Sequence, residues 1–222
     1  MIASDAKSLI WWDWVDRHRG EIGDLVLQHL GYTVFAVGVG LVISIVLAAV
    51  SIRWRRLYAP IAWVTGALYA VPSIALFGLL VPVLGLGFAP AQVALVSYTL
   101  LILLRNLVEA HDGVPTDIIE AADAMGYTRR QRLVAVQLPL AVSPVIAGLR
   151  IATVSIVGLI TVAAMVGAGG LGVYIFDGLD RSFPTPIVVG AGLSIALALA
   201  FDLLFVGLER VLTPWTRAQR GR

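Results

Sequence analysis

The sequence predicts an all-α protein that crosses a membrane several times, and its composition and the grouping of its apolar residues carry that prediction. Of 222 residues, 59% are hydrophobic, 14% are charged and none is cysteine, whereas soluble domains contain about 25% charged residues. A bilayer core of about 30 Å needs about 20 apolar residues per helix. Five such runs predict five transmembrane helices, at residues 32–52, 59–80, 91–108, 141–166 and 186–208.

These runs divide the chain into three predicted segments. Residues 1–31 are expected to lie outside the membrane or at its surface, residues 32–212 to form one transmembrane domain, and residues 213–222 to form a basic cytoplasmic tail. The longest polar interruption of the domain covers residues 109–140. The lack of cysteine excludes disulfides and cysteine-bound metal sites, and it fits a bacterial plasma membrane.

The distribution of basic residues orients the chain, because short cytoplasmic loops accumulate Lys and Arg. With an external N-terminus, only Lys7, Arg17, Arg19 and Arg181 lie outside, and Arg150 lies within a span. The other eleven of the 16 basic residues then face the cytoplasm, which predicts an N-out, C-in orientation with residues 109–140 inside. These eleven are Arg53, Arg55, Arg56, Arg105, Arg129, Arg130, Arg132, Arg210, Arg217, Arg220 and Arg222.

Aromatic residues are concentrated just before the first run. Trp11, Trp12 and Trp14 alternate with the acidic Asp13 and Asp16. This pattern favours a helix that lies at the level of the lipid headgroups. Docking of a partner protein is the alternative interpretation.

The polar interruption begins with the pattern of a short helix. Thr116 or Asp117, after Pro115, offers a helix start, and Asp117 and Glu120 have capping-box spacing. Gly126 follows the apolar stripe of this helix and is expected to end it.

A second helix start follows at once. Thr128 and Gln131 have the spacing of another capping box, and the helix that they open is expected to end near Pro139, where the fourth run begins. Two short helices joined at a glycine predict a knuckle that projects into the cytoplasm. By shape alone, a purely structural loop is the favoured interpretation.

The same stretch carries a recognisable signature. Residues 120–139 read EAADAMGYTRRQRLVAVQLP. This resembles the EAA signature of bacterial ABC-importer permeases, whose pattern is EAA, three residues, G, nine residues and I-x-L-P. The matching residues are Glu120, Ala121, Ala122, Gly126, Leu138 and Pro139, and only Val136 departs from the pattern.

Five further segments are similar to the osmoprotectant branch of these permeases, which carries glycine betaine, choline, carnitine and related compounds. They are LQHL at 27–30, VPSIAL at 71–76, LGLG at 84–87, GLRIAT at 148–153 and VGAGGLG at 166–172. Methionine-type permeases share parts of these segments. The resemblance covers roughly residues 25–210 and implies the five-span core of the methionine-type importers.

The resemblance also implies the partners and the role of the knuckle. In the family, the knuckle docks in a cleft of an ATPase subunit pair. Glu120, Ala121 and Ala122 are then expected to make the contact, with Gly126 permitting the turn. A second permease, either a copy or a paralogue, completes the pore, and an extracytoplasmic binding protein delivers the solute.

No ATP site is expected in this chain. A P-loop needs a lysine, and the single lysine, Lys7, lies in the predicted external tail. ATP is therefore expected to bind a separate subunit, and we predict no cofactor, no metal, no catalytic residue and no nucleic-acid partner here.

The sequence leaves three alternatives to an osmoprotectant permease. A permease for methionine or another small amino acid is the nearest alternative. A membrane anchor subunit of a respiratory or other complex would need haem-ligating histidines in its spans, and an intramembrane enzyme would need a nucleophile and base; the sequence offers neither.

Two other patterns are discounted. Residues 167–172 satisfy G-x-G-x-x-G, but they follow a membrane span and precede no βαβ unit, so an external turn or gate segment is expected there. His18, His29 and His111 show no metal-ligand spacing, and we expect them at the surface or the membrane interface.

Two ionisable residues, Arg150 and Asp202, lie within the fourth and fifth runs. A lone charge in the membrane costs several kcal/mol, so each needs a partner, water or a route to the interface. Both lie about seven to ten residues from the cytoplasmic ends of their runs, at matching depths. An Arg150–Asp202 ion pair is the favoured interpretation; snorkelling of Arg150 and direct substrate contact are the alternatives.

The substrate path is expected to use aromatic side chains, since quaternary amines bind to aromatic faces through cation–π attraction. Trp63, Tyr69, Phe77 and Tyr98 lie within the runs. Tyr69 and Tyr98 are the candidates for this path, and packing or lipid contact is the alternative role for each of them.

Overall fold

A computed structural model describes residues 9–214, so the predictions for Lys7 and for the tail beyond residue 214 lie outside the described residues. Every regular element in the described part of the chain is a helix, which confirms the predicted all-α class. The α-helices are α1 Trp12–Arg17, α2 Arg19–Arg53, α3 Tyr58–Ala70, α4 Ser73–Leu84, α5 Phe88–Asp112, α6 Thr116–Ala124, α7 Arg129–Arg132, α8 Leu138–Ala163, α9 Gly172–Asp180 and α10 Pro184–Leu212. Shorter 3-10 turns cover Arg55–Leu57 and Ala164–Val166, and a π-helix covers Leu133–Gln137.

Four continuous helical segments are long and apolar enough to cross a membrane, and a broken pair makes a fifth candidate. The continuous segments are Arg19–Arg53, Phe88–Asp112, Arg129–Val166 and Pro184–Leu212. They contain the first, third, fourth and fifth predicted runs. The observed helices extend beyond the runs because helices continue through polar ends that hydropathy leaves out.

The prediction of one continuous span at residues 59–80 is wrong, because this run forms two helices. The helix α3 ends at Ala70 and α4 begins at Ser73, with a bend of 93° between them. Pro72 takes the extended backbone values φ −56° and ψ 133°. Proline lacks an N–H and disfavours the helical conformation in the residue before it, so the apolar run breaks at Val71 and Pro72.

The chain divides into two compact units. Among the described residues, the first unit contains residues 9–36, 71–96 and 154–200, and the second contains residues 37–70, 97–153 and 201–214. In the first unit, Leu95, Ile156, Ile160 and Leu171 are almost completely buried. In the second unit, Ala48, Leu104 and Val108 form a buried cluster that α3 residues cover.

Within the first unit, the short helix α1 packs against the turn between α9 and α10. The Trp14 ring meets the rings of Tyr174 and Phe183 edge to face, with centroids 5.2 and 6.0 Å away. The Trp11 backbone N–H donates to the Thr185 hydroxyl oxygen at 2.9 Å. Burial raises the pKa of Tyr174 above its usual value. Two of the three tryptophans therefore have contacts within the chain, while Trp12 is 66% exposed.

Candidate functional site

The knuckle begins with α6, whose C-terminus is closed by Gly126. Gly126 has a φ of +80°, and its N–H donates to the Asp123 carbonyl at 3.0 Å. The next N–H, that of Tyr127, donates back to the Ala122 carbonyl at 3.1 Å. This pair of bonds is a Schellman motif, in which glycine tolerates the left-handed conformation. The predicted helix stop at Gly126 is confirmed.

The helix α6 begins at Thr116, as predicted, but its capping differs from the prediction. Its N-cap is Pro115, and no side chain caps the helix. Asp117 lies inside the first turn, so the predicted Asp117–Glu120 capping box does not form. The acidic side chain still lies at the positive end of the helix dipole, where it is favourable.

The second arm of the knuckle opens as predicted. The Thr128 N–H donates to Oε1 of Gln131 at 2.9 Å, and the Gln131 N–H donates to Oγ1 of Thr128 at 3.3 Å. These reciprocal bonds form a complete capping box.

The predicted end of this second helix near Pro139 is wrong. The chain stays helical from Arg129 to Val166, through the π-helix that immediately precedes Leu138. The Leu138 N–H bonds to the Leu133 carbonyl, five residues back. The ladder therefore changes register just before Pro139, whose missing N–H falls where the regular bonding pattern is already interrupted.

An ion pair that the sequence analysis missed joins the two arms. Arg132 of α7 donates through a guanidinium nitrogen to Oδ2 of Asp123 in α6 at 2.5 Å. The Arg132 side chain is 23% exposed. Nine residues separate the partners, and only the turn at Gly126 brings them together, so no helical spacing could have indicated the pair.

The residues of the EAA signature do not all lie on the knuckle surface. Glu120, Ala121, Gly126 and Leu138 are exposed and Pro139 is partly exposed. Ala122 is only 1% exposed, so Glu120 and Ala121 are the exposed residues of this triplet. The contact between Ala122 and an ATPase stays a prediction.

The second arm adds an exposed surface that the signature does not contain. A groove of about 500 Å³ is lined by Tyr127, Arg130, Gln131, Val134 and Ala135. Met125, Val134 and Leu138 are large hydrophobic side chains that are 52–68% exposed. Of these, Val134 lines the groove, so in a segment predicted to lie in the cytoplasm this groove is a candidate for contact with a partner protein.

The structure brings Arg150 and Asp202 together in the second unit. Nε of Arg150 donates to Oδ1 of Asp202 at 2.8 Å, and a terminal guanidinium nitrogen donates to Oδ2 at 3.0 Å. This bidentate geometry is the strongest form of an arginine–carboxylate pair. Each side chain is 32% exposed, so the pair lies at the side of the helices and not in a sealed core.

Two of the branch segments, LQHL and VGAGGLG, contact each other in the first unit. Oε1 of Gln28 accepts from the Gly170 N–H at 2.8 Å, and Nδ1 of His29 accepts from the Leu171 N–H at 3.3 Å. Nε2 of His29 then carries the proton and donates to the Val157 carbonyl at 3.1 Å. His29 is completely buried, so its predicted surface or interfacial position is wrong.

The close approach of the Gln28 side chain and a positive φ favour glycine at position 169 of this loop. A Cβ on Gly169 would lie 2.4 Å from Oε1 of Gln28, and Gly169 also has a φ of +86°. The Gly87 N–H of the LGLG segment donates to the Val166 carbonyl at 2.8 Å. Three separate branch segments therefore meet at one loop, which has an ordered hydrogen-bonded backbone and no dinucleotide-binding βαβ unit among the described elements.

The two substrate-path candidates also lie together, in the second unit. The rings of Tyr69 and Tyr98 have centroids 5.8 Å apart and planes at 73°. Tyr98 is 5% exposed and Tyr69 is 42% exposed. Across residues 9–214, no group of three or more His, Asp or Glu side chains could hold a metal ion.

These helices and this knuckle belong to a known class of protein. The family described as "Binding-protein-dependent transport system inner membrane component" matches residues 40–214. The chain belongs to this family, and it is a multi-pass membrane permease subunit.

Individual relatives are similar over nearly their whole length. The chain is 36% identical over 202 residues to the osmoprotectant import permease protein OsmW of Salmonella typhimurium, which covers 89% of this chain and 94% of that protein. It is 34% identical over 195 residues to the choline transport system permease protein OpuBB of Bacillus subtilis, covering 88% and 90%. The glycine betaine/carnitine/choline transport system permease protein OpuCB of the same organism is 33% identical over 187 residues, covering 84% and 86%.

Solved structures share the fold. A chain of the MetNI methionine ABC transporter, in an inward-facing crystal form, superposes with a TM-score of 0.72 at 23% identity over 85% of this chain and 94% of that chain. This likeness confirms the predicted methionine-type transmembrane fold.

Proposed function

We propose that the chain is the permease of an ATP-driven importer for small osmoprotectants such as glycine betaine, choline or carnitine. The observation that carries this proposal is the 36% identity to an osmoprotectant import permease over nearly the full length of both chains. The contact between the LQHL and VGAGGLG segments supports it, because two segments of the branch pattern are joined by hydrogen bonds.

The knuckle is the proposed docking element for an ATPase subunit. Glu120 and Ala121 are exposed on its first arm, and the groove between Tyr127 and Ala135 lies on its second arm. A carboxylate can accept charge-assisted hydrogen bonds from a partner, and exposed apolar side chains can be buried on docking. Gly126 sets the turn, and Leu138 and Pro139 connect the knuckle to the following span.

The remaining partners follow from this proposal. Two ATPase subunits bind ATP, a second permease that is either a copy or a paralogue completes the pore, and an external binding protein supplies the solute. The permease itself performs no chemistry and holds no cofactor. Rocking of the two permease halves would give alternating access.

Competition between radiolabelled solutes tests the substrate. Vesicles that hold the complete importer would be offered glycine betaine, choline and methionine, with binding protein present and ATP inside. We expect ATP-dependent uptake of a quaternary amine. Uptake of methionine alone would overturn the osmoprotectant proposal and favour the amino-acid alternative, while failure to co-purify an ATPase would overturn the importer proposal.

A further inference from the structure

A helix break lies halfway along the second apolar run. The helix α3 ends at Ala70, and Pro72 has no N–H to donate to the Leu68 carbonyl four residues earlier. The carbonyls of the last turn of a helix also lack helical donors. Non-helical backbone at membrane depth is tolerated only where protein or a water-filled path covers it. Ala70 and Pro72 are both exposed in the single chain, so this break is a candidate for lining such a path.

The carboxyl end of α3 has the electrostatics of a cation site. Helix dipoles place partial negative charge at the C-terminus, and the ends of broken membrane helices coordinate cations in transporters. The only acidic side chain well inside the predicted runs is Asp202, and Arg150 already neutralises it. A small hydrated metal ion would need carboxylate ligands that this end of α3 does not have.

An aromatic ring lies at the same helix end. Tyr69 is the penultimate residue of α3, and its ring is 42% exposed. Its inner neighbour is the buried ring of Tyr98, which meets it nearly at right angles with centroids 5.8 Å apart. An edge-to-face pair holds a ring in a defined orientation. Tyr69 therefore presents an oriented aromatic surface at the carbonyl end of α3.

We infer that the exposed ring of Tyr69 and the carbonyl end of α3 form a passage site for the quaternary ammonium group of the solute. This inference rests on the proposed osmoprotectant function. A methylated ammonium has a diffuse charge and an apolar surface, and an aromatic face with partial negative dipoles suits both. Tyr98 supports the ring from inside the protein.

Uptake of radiolabelled choline by the complete importer in vesicles, with saturating binding protein and ATP, provides the test. Tyr69→Leu removes the aromatic face and should lower the maximal uptake rate about tenfold, which corresponds to a cation–π contact between the values for exposed and desolvated sites. Tyr69→Phe and Tyr69→Trp keep the face and should keep the rate. Trp63→Leu is the matched control, because Trp63 is a 74% exposed aromatic residue on the same helix.

A graded series separates ring electrostatics from packing. Phenylalanine analogues with one, two and three ring fluorines at position 69 keep the shape but weaken the negative face, so uptake should fall with each fluorine. Undiminished uptake by Tyr69→Leu, loss of uptake in Tyr69→Phe, or a flat fluorine series would each overturn the site while leaving the osmoprotectant function standing. If the unaltered importer carries no quaternary amine, both proposals fall.

Discussion

Arg150 and Asp202 are the charged side chains that lie well inside the apolar runs, and the structure pairs them through two hydrogen bonds. The buried His29 side chain is also paired, because each of its ring nitrogens forms a hydrogen bond with a backbone group. At the scale of single residues, these three polar side chains are therefore tolerated among apolar helices because each of the three has a specific partner.

We predict that Arg150→Gln or Asp202→Asn alone lowers the abundance or transport rate more than the double variant does. Each single change leaves one charge in the membrane without its partner, at a cost of about 2 kcal/mol or more. Quantitative membrane immunoblots and uptake assays measure the effect. Arg181→Gln is the control, because its pair with Asp177 lies at the end of the short helix α9, outside the candidate spans, and its side chain is 72% exposed. Losses that simply add in the double variant would assign the two residues separate roles.

The knuckle, formed by α6 and α7, is held together by three local interactions. A Schellman motif ends its first arm, a capping box opens its second, and the pair between Asp123 and Arg132 joins them. No neighbouring atom lies within 4 Å of a Cβ built on Gly126, so a side chain there would project from the knuckle and not into it. Substitutions at the tip can therefore test docking without disturbing any span.

We expect Glu120→Lys and Gly126→Asp to insert normally but to lose ATPase association and transport. The first reverses a surface charge and the second adds one at the tip. Glu120→Gln and Gly126→Asn are the matched controls, since Asn accepts the left-handed backbone and adds no charge. Co-purification of the ATPase, followed by uptake, gives the readout. Normal complex formation and normal uptake in both charged variants would refute the proposed coupling surface.

At the scale of the whole molecule, the candidate spans and the basic residues predict an N-out, C-in orientation. The absence of native cysteine allows a single introduced thiol to report its side of the membrane. Asp180→Cys should react with an impermeant maleimide from outside, and Arg130→Cys only after the membrane is opened, because the basic loops are retained inside. Asp177→Cys, on the same short helix, should follow Asp180→Cys. Reversed labelling would contradict the orientation.

Several properties that depend on local sequence were predictable, although the break at Pro72 and the uncapped start of α6 were not. Properties that depend on distant partners could not be predicted. Apolar run length identified the membrane segments, and Gly126, Thr128 and Gln131 identified the turn of the knuckle. Hydropathy could not reveal the break at Pro72, because residues on both sides of it are apolar. The burial of His29 depends on Val157 and Leu171, more than 120 residues away.

Some features of the candidate site could also be predicted from the sequence, and others could not. The EAA spacing marked the knuckle, but the burial of Ala122 arises from the fold of the knuckle itself. The continuation of the helix through Pro139 depends on a π-helix that no capping pattern announces. Arg150 and Asp202 could be matched by depth because straight helices convert residue counts into distances.

The mutual neutralisation of Arg150 and Asp202 has an electrical consequence. One unpaired charge that crosses the membrane field exchanges about 2.3 kcal/mol per 100 mV. Two opposite charges that stay bound and move together exchange almost no energy with this field. Rearrangement of the helices that carry them therefore depends very little on the membrane voltage. A current recorded during transport would then count the charge of the solute itself: one for each choline, and none for each zwitterionic betaine.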